Sequence, residues 1–193
     1  MKEVISFLNE IAKAEGWKLS PKCISYLKKV IKETSLKQEE HLLVAGQVCE
    51  NLYFIKKGLL KCYYILRGKQ VCDWFFGEGE TVVAVDSFYD RILSTDFIQA
   101  LEDCELFYIT NDELAYLYRT FVEFNVVGRV LTHKYFRIWH RQSRNLRLLS
   151  KEERYRLLME TQPELINRVP VRDLASLLDM NKDTLSRMRS RIH

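Results

Sequence analysis

Lys182, Asp183, Thr184, Ser186, Arg187 and Arg189 bring ammonium, carboxylate, hydroxyl and guanidinium groups into one short stretch of the chain. Lysine and arginine neutralise the phosphates of an anionic polymer, and a guanidinium can also bridge two acceptors on one base edge. Whether these groups can act together depends on the elements that carry them. Asn181 is a good helix N-cap. In a helix opened there, Lys182 and Asp183 fall at the N-terminal end, and Arg187 follows one turn on along the same face. Leu174, Leu178, Met180, Leu185 and Met188 supply apolar contacts for two crossing helices, with Ala175 as the small residue where their backbones approach. The break falls at Asp179-Met180-Asn181, where Asp tolerates the left-handed conformation better than most residues, although Gly is the usual occupant. Val171–Ser190 therefore reads as a helix-turn-helix whose second helix turns a polar, basic face outward. An ordinary amphipathic hairpin would share the apolar spacing without that face.

The charge distribution agrees. Residues 129–193 carry 15 Lys/Arg against 7 Asp/Glu, and residues 1–128 carry 15 against 19, so a net +4 hides a basic C-terminal third suited to phosphate contacts. Nearly half of the 193 residues are hydrophobic and Gly and Pro are few, which fits a folded chain of one large domain or two small ones. Five widely spaced cysteines (Cys23, Cys49, Cys62, Cys72, Cys104) form no CxxC or Cys/His pair, so neither a disulfide framework nor a zinc site is suggested. Buried thiols in a reducing compartment are expected instead. With no signal-peptide h-region and no membrane-length apolar run, the expectation is a cytoplasmic protein without membrane contacts. Catalysis is not expected. A cupin-like metal site needs several inward His, but only His41 lies in the β-rich region, and His133 and His140 are too far apart to chelate together.

The elements that must position the basic helix are legible in outline. Residues 2–15 and 21–33 have helical periodicity, the second opened by Ser20 as N-cap and Pro21 at the first position. From Leu36 to Ile109 short apolar and β-branched runs alternate with turns, including a hairpin of Leu60–Leu66 and Lys69–Phe75 turning at Arg67-Gly68. Many short strands at regular spacing predict a barrel or jelly roll. Thr110 and Glu113 form a capping box that opens a long helix over about 111–149. Its apolar residues Leu117, Phe121, Phe124, Leu131, Tyr135 and Ile138 follow a 4-3 spacing, with Gly128 and Gln142 between them. The later part outlasts a barrel wall and suits a partner helix, which predicts a homodimer through Phe121, Phe124, Leu131, Tyr135 and Ile138; a core helix inside one subunit is the alternative. Ser150 and Glu153 make a second capping box and mark a boundary between residues 1–149 and 150–193. The fold class is α+β: N-terminal helices, an antiparallel jelly-roll-like β-roll, a long dimerisation helix and a C-terminal helix-turn-helix.

This order of parts resembles the Crp/Fnr family of bacterial transcription regulators along essentially the whole chain. The resemblance is carried by Leu52-Tyr53-Phe54-Ile55-Lys56-Lys57-Gly58, by Gln99-Ala100-Leu101-Glu102-Asp103, and by Val169-Pro170 through Leu185-Ser186-Arg187. It implies a ligand-sensing roll, a dimerising long helix and a reading helix in the major groove, with double-stranded DNA, a second copy and RNA polymerase as partners. Matched to the family motif, Arg187 and Lys182 would read guanine and Asp183 a cytosine amino group. Thr184, Ser186 and Arg172 would meet phosphates, with Asn181 and Arg189 in the same interface.

Three departures shape the expected function. Nucleotide-binding members hold the cyclic phosphate with a Gly-Glu pair and a later Arg-Ser pair. The matching positions here fall near Ala84-Val85 and Ser94-Thr95, leaving an effector region of Val83, Ala84, Val85, Arg91, Ser94 and Thr95 without the family's guanidinium. A buried phosphodiester without such a donor costs several kcal/mol, so poor cyclic AMP binding is expected and the effector is unknown. The iron–sulfur branch clusters N-terminal cysteines, but Cys23 stands alone, so no cofactor is expected. Finally, three residues follow Ser190, too few for a β-wing; either the branch lacks one or the chain is shortened. A ligand-sensing or protein-interaction roll without DNA binding is the competing expectation.

Overall fold

The computed structural model describes residues 1–192. Helices α1 (Lys2–Ala14) and α2 (Pro21–Val30) lead into the strands; Ser20 Oγ accepts the Cys23 amide at 3.2 Å, and Pro21 opens α2. The helix expected to reach residue 33 stops at Val30, because Lys32–Leu36 is strand β1, paired antiparallel with β8 (Cys104–Thr110) in a register that sets Lys32 against Tyr108. The roll comprises two four-stranded antiparallel sheets. One orders β1, β8, β3 (Asn51–Lys57) and β6 (Thr81–Val82). The other orders β2 (His41–Leu43), β7 (Phe97–Ala100), β4 (Leu60–Leu66) and β5 (Lys69–Phe76). The β4–β5 hairpin turns at Arg67-Gly68, both at positive φ. The run Thr81–Val85, expected to be extended, is strand only at Thr81–Val82 and then becomes helix α3 (Val85–Asp90).

The long helix is broken. The Thr110–Glu113 capping box opens α4 (Asn111–Thr120), Phe121 is extended, and α5 (Val122–Leu148) runs for 27 residues. Gly128 lies on its inner face because a Cβ there would meet the Tyr118 ring at 2.4 Å. The Ser150–Glu153 box opens α6 (Lys151–Thr161), followed by α7 (Pro163–Arg168), α8 (Val171–Leu177) and α9 (Lys182–Ile192). One hydrophobic core fills the space between the sheets, α1, α2, α4 and the start of α5. A second joins Tyr155, Leu158, Leu165, Leu174, Leu178 and Leu185 to Leu59, Cys72, Phe75 and Leu101 of the roll. The C-terminal helices thus complete their core with residues from residues 1–149. All five cysteines are buried and unpaired, and burial pushes the thiol of Cys23 up to about 12 and those of Cys62 and Cys72 further still.

Polar contacts tie the C-terminal helices to the roll. Lys61 Nζ on β4 meets Asp173 Oδ2 on α8 at 2.8 Å, with side chains only 9% and 7% exposed. Gln70 Nε2 donates to the other carboxylate oxygen at 3.3 Å, and the Cys72 amide donates to Ser176 Oγ at 2.8 Å. Arg168, just before α8, forks onto Glu78 and Glu102 with four contacts of 2.7–2.9 Å. Removing one partner of a buried pair leaves an uncompensated charge. Lys61→Met should therefore cost about 3–5 kcal/mol, and adding Asp173→Leu should restore most of it. Guanidinium chloride unfolding checks this: equal losses in the single and double variants would mean that the pair is not coupled.

The Arg168 fork lowers the Glu78 carboxyl from 4.5 to about 2. A depressed carboxylate stabilises the fold above its unfolded pKa and loses that contribution as pH falls through its folded value. The difference in denaturation midpoint between the native protein and Arg168→Gln should be full above about pH 4.5 and shrink toward pH 2. A difference that stays flat over this interval would separate the fork from acid stability.

Candidate nucleic-acid interface and roll cavity

Helices α8 and α9 cross over Leu174, Ala175, Leu178 and Leu185, all buried, with Met180 and Met188 packed alongside. Asp179 takes the left-handed conformation at φ 52°, and the Met180 amide donates to the Ala175 carbonyl at 3.0 Å to close the turn. Asn181 Oδ1 accepts the Thr184 amide at 2.8 Å, so its side chain serves as the N-cap of α9. Leu185 then fixes which face of α9 is turned inward.

Lys182, Asp183, Ser186 and Arg187 are exposed on α9, and Arg172 is exposed in the first turn of α8. Arg187 Nε donates to the Asp183 backbone carbonyl at 3.3 Å, and among the described residues no ion pair forms with the Asp183 carboxylate. Its guanidinium therefore projects from the helix without a carboxylate partner. Thr184 is half-buried. Arg189 departs from the expected set: four residues after Leu185, it is half-buried and donates to the Ile166 carbonyl of α7 at 3.4 Å, holding α9 to α7.

The expected seam on the long helix also needs correction. Phe124 is buried, and Phe121, Leu131, Tyr135 and Ile138 are half-buried against the roll of their own chain. Tyr135 Oη accepts the Thr81 amide at 2.7 Å, and Gln142 Nε2 donates to the Asp73 carbonyl at 3.3 Å. Advancing the same spacing by one residue gives Val122, Asn125, Arg129, Thr132, Phe136, Trp139, Ser143 and Leu146, every one of them exposed. Phe136 is 69% exposed, and Val122, Trp139 and Leu146 are exposed apolar residues on the same stripe. One residue is 100° of rotation, so the sequence pattern carries two seams on adjoining faces.

The cavity in the effector region is apolar. It holds about 330 Å³ among Phe7, Leu52, Phe54, Val83, Leu131 and Tyr135 together with further apolar side chains, and no lysine or arginine among the described residues lines it. Val83 and Val85 line this cavity, but the rest of the expected effector set does not. Ala84 is buried as the N-cap of α3 and Thr95 is exposed. Ser94 is buried, and its hydroxyl is engaged by the Asp96 backbone. Arg91 donates to the Cys49 carbonyl at 3.0 Å and pairs with Glu50. Asp96 lies close by, raised first by burial and then by Asp86. The place where a phosphodiester would sit thus offers carboxylates and a committed guanidinium.

Residues 33–121 match the family model of the cyclic nucleotide-binding domain. The chain is similar to FixK2 of Bradyrhizobium japonicum at a TM-score of 0.73, with 19% identity over 85% of each chain. It is also similar to the c-di-GMP-responsive global regulator CLP of Xanthomonas campestris, at 0.67 and 18% identity over 90% of this chain and 91% of that one. The catabolite activator protein of Thermus thermophilus matches at 0.55 and 20%, over 90% and 84%. No curated protein sequence matches the chain. What is shared is the fold. Among the described residues, no helix is long and apolar enough to cross a membrane. The sequence signal for the β-roll and capped helices was strong. Lys61, a single charge inside the apolar run Leu59–Tyr63, is the one trace in the sequence of the buried pair with Asp173.

Proposed function

We propose that the chain is a dimeric, sequence-specific DNA-binding transcription regulator of the Crp/Fnr type whose roll does not take cyclic AMP. The observation that carries this reading is α9: capped by Asn181, seated on Leu185, and presenting Lys182, Asp183, Ser186 and Arg187 to solvent. A helix presented this way can lie in the major groove with its N-terminal residues at base edges. Arg187 takes guanine through O6 and N7, Lys182 offers a second donor and Asp183 accepts from a cytosine amino group. Arg172 and Ser186 meet phosphates and orient the reader without choosing a sequence. Arg187→Ala should cost about 1–3 kcal/mol and relax one base position, whereas Arg172→Ala should weaken all sequences alike and flatten the salt slope by about one unit. Selection from a random duplex pool decides: an unchanged motif with Arg187→Ala removes the base-reading role, and no enriched motif with the native protein removes the function.

Two half-site readers must be held about one DNA turn apart, which calls for a two-fold dimer. The exposed stripe of α5 is the candidate surface, with Phe136 as its most exposed aromatic group. Phe136→Glu should weaken the dimer by at least about 2 kcal/mol, roughly thirtyfold in Kd, as for an aromatic anchor. Leu131→Glu should instead destabilise the fold. Sedimentation with a parallel unfolding curve separates the two effects; a Phe136→Glu protein that remains fully dimeric would move the interface elsewhere.

The roll lacks a free guanidinium where a cyclic phosphate would bind, and burying a phosphodiester there costs several kcal/mol. Calorimetry with cyclic AMP should show no micromolar binding; such binding would return Arg91 or another donor to the site.

A further inference from the structure

A second cavity of about 330 Å³ lies where the long helix, the roll and the C-terminal helices meet. Its walls include Trp74 and Phe75 of β5, Ile138 and Leu146 of α5, and Leu157 of α6. Its polar lining is arginine, amide and hydroxyl: Arg141, Gln142, Asn145, Arg154, Thr161 and Gln162, with no carboxylate among the described lining residues. Arg154 is the unusual member. It is 8% exposed, and its Nε and Nη1 have no hydrogen-bond partner. Among the described residues, the only other buried side-chain nitrogen or oxygen without a partner is the hydroxyl of the adjacent Tyr155. Native structures rarely leave buried charged donors unmet, and such donors commonly mark a bound ion or ligand.

The surroundings of Arg154 offer one carboxylate, and not within hydrogen-bond range. Asp179 Oδ2 stands 3.6 Å from Nη1, beyond hydrogen-bond range, on a side chain that is 83% exposed. Glu153 is held in the capping box with Ser150, and Glu152 pairs with Arg156. Arg154 also lies near the N-terminal end of α6, where the helix dipole favours negative charge over positive. Apolar walls around two guanidiniums and several amides suit a molecule with an oxyanion head and an apolar body.

We propose that this cavity binds a small amphipathic anion, a carboxylate or phosphomonoester on an apolar body, with Arg154 holding the anionic head. The site is separate from the apolar roll cavity. An occupant would touch α5, α6, the end of α8 and β5 at once.

The test uses the full chain and two fluorescent probes, 8-anilinonaphthalene-1-sulfonate and its uncharged analogue N-phenyl-1-naphthylamine. The sulfonate should bind one per chain, at least tenfold more tightly than the neutral probe. Arg154→Met should weaken the sulfonate tenfold or more and leave the neutral probe unchanged, as expected when a charge-assisted hydrogen bond is lost. Asp179→Asn, which keeps a residue suited to the left-handed turn, should tighten the sulfonate severalfold by removing the internal competitor. Near-UV circular dichroism confirms that each variant is folded. If Arg154→Met fails to fold, Asp179→Asn and Leu146→Trp, which fills the cavity, decide between the outcomes. Sulfonate binding indifferent to these substitutions, or neutral-probe binding of equal strength, overturns the proposal.

Discussion

A lysine and an aspartate taken out of water hold the two parts of this molecule in register. Lys61 and Asp173 come from β4 and α8, and neither could be buried alone. Their desolvation is offset only with good geometry and further hydrogen bonds, and the structure provides both. Gln70 satisfies the second carboxylate oxygen, and Ser176, one turn further along α8, accepts from the strand amide of Cys72. An apolar interface alone would tolerate sliding of α8 across the sheet. The ion pair permits one position, and Arg168 repeats the constraint at the preceding bend through Glu78 and Glu102. The orientation of α9 follows, because the crossing at Leu174, Ala175 and Leu185 ties it to α8.

Local rules carried much of this architecture in the sequence. Ser20-Pro21, Thr110/Glu113, Ser150/Glu153 and Asn181 each act over three or four residues, and each forms the cap its chemistry allows. The Arg67-Gly68 hairpin is equally local. Pairings over longer separations were not legible. The strand at Lys32–Leu36 exists because β8 is there to pair with it, about 70 residues away. The apolar periodicity of the C-terminal helices gave the crossing of α8 and α9 but not the roll residues that complete their core. Arg189 illustrates the limit of a residue-type argument: it is basic and falls in a basic helix, yet its position relative to Leu185 turns it toward α7.

Two elements of the candidate site depend on tertiary packing alone. The effector region looked deficient in sequence because Ser94 stands where the family has its arginine, and the structure shows that the nearby Arg91 is occupied by Cys49 and Glu50. The 4-3 pattern of α5 identified a seam but could not say against what. A seam facing a sheet of the same chain and one facing another helix have similar composition when the sheet surface is also apolar. Gly128 is explained by the Tyr118 ring, not by the close approach of a partner.

The two seams of α5 belong to one rigid body. Leu131 and Tyr135 are half-buried at the wall of the roll cavity, and Thr132 and Phe136, their immediate neighbours in sequence, line the same cavity while remaining exposed. From Leu131 to Leu148 the helix is about 25 Å long at 1.5 Å per residue, so a tilt of about 10° at the cavity wall would carry Leu148 through about 4 Å. Beyond that wall the helix stays tied to β5, by the stacked rings of Trp139 and Trp74 and by the Gln142 side chain on the Asp73 carbonyl. A displacement of α5 at Leu131 would therefore be shared with β5, whose Cys72 amide donates to Ser176 of α8, as well as with Leu148, where the chain turns into the helices that carry Arg187.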